Sequence, residues 1–218
     1  MQDLKIMLHE KECWLMPEKA LYIPQQSTLV IADLHIGKCS AFRQAGIAVP
    51  ILSSEYDLLM LSKIIDRANA KRLIILGDFL HSRAAQHQSI LNLLSVWREQ
   101  HKDIEIILIK GNHDQHAGNP DIRLNIKCID EELREPPWIY SHELVMYENN
   151  FSLAGHIHPV IQLNGFGKDK LRLPCFYIEK NYCILPAFGY FTGGYKMYKV
   201  SKFTQAYVIA EDSVIRVY

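Results

Sequence analysis

Long apolar runs are missing from this sequence: stretches such as Leu29–Ala32 and Leu73–Leu76 stop after a few residues, far short of the ~20 that a membrane-crossing helix requires. That excludes a helical membrane protein. Cysteine is sparse, with five residues (Cys13, Cys39, Cys128, Cys175 and Cys183) scattered without any CxxC spacing. The odd number and the spacing argue against a disulfide framework and a zinc ribbon; reduced, buried thiols are expected. An excess of either charge is absent too, because 24 Lys and Arg balance 24 Asp and Glu. No global field draws the chain onto nucleic acid or anionic lipid, so any such binding must use local patches. The first residues mix charges among apolar side chains and do not read as a signal peptide, which makes the cytoplasm the expected location. Repeats, low-complexity tracts and long linkers are absent as well, and a single domain over residues 1–218 is expected.

What remains is ordinary globular material, 49% apolar and 22% charged, enough to build a core. Leu4–Leu8, Glu12–Leu15 and Ala20–Ile23 read as lead-in strands. Thr28–Ala32, Arg72–Leu76 and Glu105–Ile109 are short apolar runs without alternation, the pattern of strands buried on both faces. Between them lie two helical patterns. One follows Ser53–Ser54 through residue 68, with Leu58, Leu59, Leu61, Ile64 and Ile65 at helical spacing; the other spans Gln86–His101, with Ile90, Leu93, Leu94 and Trp97 on one stripe. The segment after Asp33 reads as a loop. Strand–helix alternation points to right-handed parallel crossovers.

Beyond residue 120 the pattern becomes strand-rich: Trp138–Ser141, Phe151–Ala154, Val160–Leu163, Leu171–Ile178, Tyr182–Leu185, Tyr195–Val200, Ala206–Ala210 and Val214–Val217, with hairpin chemistry at 164–170. The expected fold class is α/β, two mixed β-sheets packed as a sandwich and flanked by helices.

Ten histidines are present, and five of them sit in four polar clusters, each following an apolar strand: Asp33-Leu34-His35, Gly77-Asp78-Phe79-Leu80-His81, Gly111-Asn112-His113-Asp114 and Gly155-His156-Ile157-His158. Ser141-His142 lies between the last two. Ligands in open α/β sheets bind beyond the carboxyl ends of strands, so these clusters can meet at one rim. Asp33, His35, Asp78, Asn112, His142, His156 and His158 form a set of seven nitrogen and oxygen donors with no thiolate. Such a set suits hard or borderline divalent cations, and seven donors suit two ions sharing a carboxylate. His9, His87, His101 and His116 read as structural or solvated residues.

The order D-x-H, GD, GNHD, H, GHxH resembles the calcineurin-like metallophosphoesterase superfamily, over Asp33 to His158. The resemblance implies the metallophosphoesterase fold and two divalent metal ions, with Asp33, His35 and His158 on the first, Asn112, His142 and His156 on the second, and Asp78 bridging. It implies that His113 is catalytic, that Asp114 orients its ring, and that the reaction is metal-assisted hydrolysis at phosphorus without a covalent enzyme intermediate.

The strings DLHIGK, FRQAGIAVP, GDFLHSR, LPCF and LPAFGYFTGG further resemble the bacterial ligase-associated metallophosphoesterases of the DNA-damage response. What this implies is a manganese-dependent phosphodiesterase or endonuclease (iron and zinc also fit the donors) acting on single-stranded or damaged DNA, or a nucleotide-like phosphodiester, in repair. An ATP-dependent DNA ligase, a helicase and an exonuclease-like protein would be its partners. The GDxxH string, similar to one in DNA-end-processing relatives, gives His81 either a substrate-phosphate contact or the task of orienting a ligand. Arg43, Arg83, Lys168, Lys170 and Arg172 are candidate phosphate contacts or solvated tips, and LPAFGYFTGG is a substrate contact or a packed corner. The rival functions are a small-molecule phosphodiesterase acting on cyclic nucleotides and other diesters, and a non-catalytic scaffold.

Overall fold

The computed structural model describes residues 2–44, 46, 53–165 and 169–218. Its first sheet has seven strands in sequence order: β1 (Leu4–Leu8), β2 (Lys11–Met16), β3 (Ala20–Ile23), β4 (Thr28–Ala32), β5 (Arg72–Leu76), β6 (Glu105–Ile109) and β7 (Ile126–Ile129). β1 to β4 are antiparallel, as tight turns allow. β4 to β7 are parallel, in a register that pairs Ala32 with Leu76 and Leu76 with Ile109. Parallel neighbours need crossovers, and these are supplied by α1 (Lys38–Gln44), α2 (Ser53–Ala68), α3 (Gln88–Gln100) and α4 (Asn112–Ala117).

Strand periodicity explains where the core sits. Successive side chains point to opposite faces: Leu29, Ile31, Leu73 and Ile75 meet Leu58, Leu61, Ile64, Leu94 and Trp97 of the helices. Val30, Ala32, Ile74, Leu76, Ile107 and Ile109 face the second sheet, against Trp138, Tyr140, Phe151, Leu153 and Phe176. Each buried Leu or Ile here stabilises the fold by about 1.5–3 kcal/mol. Leu59, expected on the core stripe of α2, is instead 53% exposed.

The second sheet contains β8 (Leu133–Glu135), β9 (Trp138–Ser141), β10 (Phe151–Ala154), β11 (Pro159–Asn164), β12 (Lys170–Glu179), β13 (Tyr182–Ile184), β14 (Tyr195–Lys196), β15 (Gln205–Ala210) and β16 (Ser213–Arg216). Its order is β14-β11-β12-β13-β10-β9-β8, with β15 pairing β12 and β16. At its centre β10 runs parallel to both β9 and β13. The outer face carries its own apolar cluster, in which Ile161, Cys175, Tyr177 and Val208 pack with Met197 and Val217.

The architecture is thus the expected sandwich, with several boundaries corrected. The segment after Asp33 turns into α1 rather than remaining loop, α4 begins within the GNHD cluster, and β7 and β8 were not anticipated. Tyr195–Val200 is strand only at Tyr195–Lys196. β11 and β12 pair antiparallel as a hairpin, but the tip at 166–168, including Lys168, lies outside the described residues, as do Ala45 and the whole IAVP end of FRQAGIAVP. All five cysteines are free, and only Cys128 is other than buried. Among the described residues no helix is long and apolar enough to cross a membrane.

Candidate active site

The polar clusters converge because the strands preceding them run side by side. β4, β5 and β6 lead within three residues to Asp33, Asp78 and Asn112; β9 and β10 lead within two to His142 and His156. Beyond the strands the loops continue the pairing. His35 N donates to Asp78 O at 2.8 Å, Ile36 N to Phe79 O at 2.8 Å, and His81 N to Ile36 O at 3.0 Å. The two sheets are tied at this rim, where His156 N donates to Asp33 Oδ2 at 3.0 Å, and within the second sheet Gly155 N donates to His142 O at 3.0 Å.

Five of the seven expected ligands, Asp33, His35, Asp78, His156 and His158, adopt φ between 51° and 68°. This left-handed region is unfavourable for side chains larger than glycine, and strain of this kind concentrates at functional sites. Two glycines make room. At Gly77, with φ of 78°, an added Cβ would lie 2.1 Å from His142 Nδ1; at Gly111 it would lie 2.3 Å from Asp78 Oδ1.

Asp33, His35 and His158 form one group whose donor atoms lie within 4.8 Å of one another, and Asp33, Asp78 and His142 form a second. His158 Nε2 stands 3.4 Å from Asp33 Oδ1. Asp78 lies between the two halves, with Oδ2 3.6 Å from His35 Nε2 and Oδ1 3.6 Å from His142 Nε2. Asn112 Oδ1 and His156 Nδ1 complete the second half, 3.1 and 3.0 Å from His142 Nε2. All seven residues that the sequence nominated therefore meet at one place.

The chemistry of this donor set fits divalent cations. His142 Nδ1 donates to the Leu76 carbonyl at 3.0 Å, so any lone pair of the ring lies at Nε2. That lone pair faces Asn112 Oδ1 and Asp78 Oδ1, which are acceptors. His35 Nε2 is buried without any hydrogen-bond partner, and burial, followed by the charges of Lys38 and neighbouring histidines, pushes its pKa down to about 2. Acceptors facing acceptors in a buried site are costly unless a cation joins them. Metal-ligating histidines commonly bind through one nitrogen while the other donates to a carbonyl, as His142 does.

His113 sits at the edge of this centre. Its Nδ1 is 2.8 Å from the His81 carbonyl, so Nδ1 carries the proton and Nε2 is the open nitrogen. Its ring lies 4.9 Å from that of His35 and stacks on His81 at 4.7 Å. Asp114 does not orient it, contrary to the expectation. Its buried carboxylate instead accepts from Leu80 N at 2.8 Å, Gly111 N at 3.0 Å and Phe79 N at 3.2 Å. Burial raises the Asp114 pKa while these donors oppose the rise.

His81 Nδ1 is 3.3 Å from His35 Nδ1, which ties it to a ligand. Burial, then His113 and Lys38, push its pKa down to about 4. His35, His81 and His113 also form a three-nitrogen group, but hydrogen bonds hold the facing Nδ1 atoms of His35 and His81 and the Nδ1 of His113. Lys38, the last residue of DLHIGK, carries no ligand pattern in the sequence yet stands beside this centre. It is half-buried, and Asp78 and Asp33 act on its charge.

Other candidates lie apart. His101 Nε2 is 2.8 Å from Ser62 Oγ, His87 Nδ1 is 3.3 Å from Ser89 Oγ, His9 packs on Phe151, and His116 Nδ1 bonds the Asn112 carbonyl of its own helix. Arg83 is exposed, with Nε 3.4 Å from the His116 carbonyl, and Arg43 Nη2 donates to Ser40 Oγ. Arg172 lines a cleft of about 290 Å³ that opens beside His158. A second cleft, of about 340 Å³, opens beside Asn112 and His142.

The calcineurin-like phosphoesterase family model matches residues 27–192, a span that contains every residue of this cluster. Among solved structures, the nuclease MPE of Pseudomonas putida is similar at 36% sequence identity and a TM-score of 0.88, covering 99% of this chain and 100% of that one. The phosphoesterase YfcE of E. coli is similar at 11% identity and a TM-score of 0.42, covering 87% of this chain and 97% of that one. No curated protein matches the sequence. A family match over most of the chain, together with a relative at that identity along its whole length, places this chain in the calcineurin-like phosphoesterase family, as a hydrolase acting on phosphoester bonds.

Proposed function

We propose that the whole chain, residues 1–218, is one catalytic domain, a phosphodiesterase dependent on two divalent cations, with manganese the first choice and iron or zinc admitted by the same donors. We further assign it as a cytoplasmic nuclease cutting single-stranded or damaged DNA in repair, alongside a ligase, a helicase and an exonuclease-like protein. The observation that carries the two-cation reading is the position of Asp78. One of its oxygens faces the unpartnered His35 Nε2 and the other faces His142 Nε2, each at 3.6 Å. Support for the nuclease reading is the 36% identity, over nearly the whole chain, to a protein described as a nuclease.

Bound here, divalent cations would supply Lewis-acid polarisation of the phosphoryl oxygens and a more acidic water. The chain's own residues do the rest. His35 stays neutral, so its nitrogen remains a donor to metal rather than a competing cation. His113, its Nδ1 proton held by the His81 carbonyl, acts when Nε2 is protonated as well: it gives the Nε2 proton to the leaving oxygen as water attacks phosphorus and the P–O bond breaks, the attacking water loses a proton to solvent, and solvent reprotonates Nε2. Half-buried Lys38 adds positive charge beside the phosphate.

The test compares single-stranded DNA, duplex DNA, cyclic nucleotides and a chromogenic diester as substrates of the manganese-loaded protein. Single-stranded DNA is expected to be cut, with activity lost on chelation and in Asp78→Ala. In His113→Ala kcat should fall about 10²- to 10⁴-fold. Turnover confined to the small diesters would replace the DNA reading with the small-molecule one. Activity equal to wild type in both variants would mean that a contaminant does the chemistry and the protein is a scaffold.

A further inference from the structure

The string LPAFGYFTGG takes no part in the chemistry above, yet its backbone is fastened to the metal cluster. Phe188 N donates to Ala32 O at 2.8 Å and Gly189 N to the Asp33 carbonyl at 3.2 Å. No side chain fits at 189, where a Cβ would stand 2.4 Å from Leu34 O. Tyr190 N donates to buried Asp57 Oδ1 at 3.1 Å, and Thr192 Oγ1 to Gly189 O at 2.8 Å. Against this fixed backbone the Tyr190 side chain stands out, 65% exposed. Tyr56 of α2, 50% exposed, meets it edge to face at 5.9 Å, and Phe191 flanks it at 5.5 Å.

Tyr190 lines two clefts that differ in charge. The one beside His158 carries Lys19, Arg172, Thr192 and Gly194. Arg172 donates from Nη2 to Gly194 O at 2.6 Å, and Lys19 Nζ to Phe188 O at 3.2 Å; the other N–H groups of both remain for an anion. Beyond Tyr190, a cleft of about 280 Å³ is lined by Glu18, Asp57, Glu211 and Asp212, with Lys19 shared between the two clefts. A phosphate is favoured on the first side, which Arg172 and Lys19 line without a carboxylate, over the second, where carboxylates outnumber Lys19. What can lie on the ring between them is a planar, uncharged group attached to a phosphate.

We propose that Tyr190, flanked by Tyr56, is a stacking subsite for one base of a single-stranded nucleic acid whose adjacent phosphate is held by Arg172 and Lys19. The subsite rests on the nuclease reading. Because the backbone around Tyr190 is bonded to Asp33, the stacked base stands at a fixed offset from the scissile phosphate. Stacking tolerates any base, which suits binding without sequence preference.

The experiment uses a homothymidine oligonucleotide carrying one abasic residue, cut by the manganese-loaded full-length protein and resolved as a ladder. Wild type should leave a gap at one fixed offset from the abasic residue, with cleavage there reduced about 5- to 30-fold, in the range of one lost base–aromatic stack. Tyr190→Ala should fill the gap relative to its own flanking cuts, Tyr190→Phe should keep it, and Tyr198→Ala, an exposed tyrosine elsewhere, should also keep it. In parallel, anisotropy of a labelled oligothymidine with metal-free protein should show Kd rising about 5- to 30-fold in Tyr190→Ala. A wild-type ladder that is even across the abasic residue, or a gap retained in Tyr190→Ala, overturns the subsite while leaving the nuclease standing. If wild type cuts no single-stranded DNA yet hydrolyses a chromogenic diester, the nuclease reading fails and takes the subsite with it.

Discussion

His113 and Asp114 are neighbours in sequence with unrelated tasks. The ring of His113 is held by the backbone carbonyl of His81, an atom that every residue type possesses and that no sequence pattern can nominate. Asp114 was nominated because a carboxylate beside a histidine is a common orienting pair, but its oxygens are taken by the N–H groups of Phe79, Leu80 and Gly111. It holds the loop after β5 against the start of α4. Asp114→Ala would strand three buried donors, each worth about 1–3 kcal/mol, and a stability loss of about 3 kcal/mol or more is expected from urea titration. His113→Ala should leave the urea midpoint nearly unchanged while kcat falls. Asp114→Asn, which keeps the shape but turns an amide towards N–H groups, should lose stability and retain most of its kcat. If Asp114→Asn melted like wild type and lost activity as His113→Ala does, the orienting role would be restored.

Elements were legible wherever a long pattern had room to repeat. β4, β5 and β6 emerged with their bounds because apolar side chains fill both faces, and α2 and α3 because their stripes run over three turns or more. α1 and α4 did not, since seven and six residues barely establish a helical period, and α4 opens on residues that also read as ligands. β7 was hidden by its polar Lys127 and its neighbour Asn125. The meeting of seven donors was legible because each cluster follows a strand; the left-handed backbone of five of them was not, since it goes with bonds between loops far apart in sequence, from 33–36 to 78–81 and from His156 N to Asp33. One element boundary supports a test of pH dependence. Asp57, on α2, is buried against the Tyr190 segment, and burial lifts its pKa from 3.8 to about 7, with the Tyr190 N–H and Lys19 opposing the rise. The folded carboxyl thus holds its proton to higher pH than the unfolded one, so stability is fullest below about pH 4 and declines as pH climbs through about 7. At 1.36 kcal/mol per pKa unit, the ceiling on that decline is about 4 kcal/mol. Asp57→Asn keeps an acceptor for Tyr190 N and cannot ionise. Its unfolding free energy, from urea titrations at pH 5 and pH 8, should exceed that of wild type at pH 8 by more than at pH 5. Equal differences at the two values would remove Asp57 as the source.

At the scale of the whole molecule, the proposed metal centre would be a clasp between the sheets. Asp33, His35, Asp78 and Asn112 come from the first sheet; His142, His156 and His158 come from the second. The unfolded chain has no such arrangement, so cations that bind only the folded state stabilise it by mass action, about 2.7 kcal/mol at a hundredfold excess over Kd. For a chain of this length each kcal/mol moves Tm by about 2–4 °C. Chelator-treated protein should therefore melt about 5–10 °C below protein at that manganese excess, by calorimetry. Substitutions should divide by position. His158→Ala removes a donor from one half only, and manganese bound per chain should drop from about two to about one, in line with two cations sharing a carboxylate. Asp78→Ala removes the oxygen facing each half, so both cations should weaken together, and the manganese-dependent rise in Tm should shrink more than in His158→Ala. The comparison isolates the bridge, because a carboxylate serving one ion alone would lower the count no further than His158 does. Retention of two tightly held cations by Asp78→Ala would refute the shared ligand even if the catalytic rate collapsed.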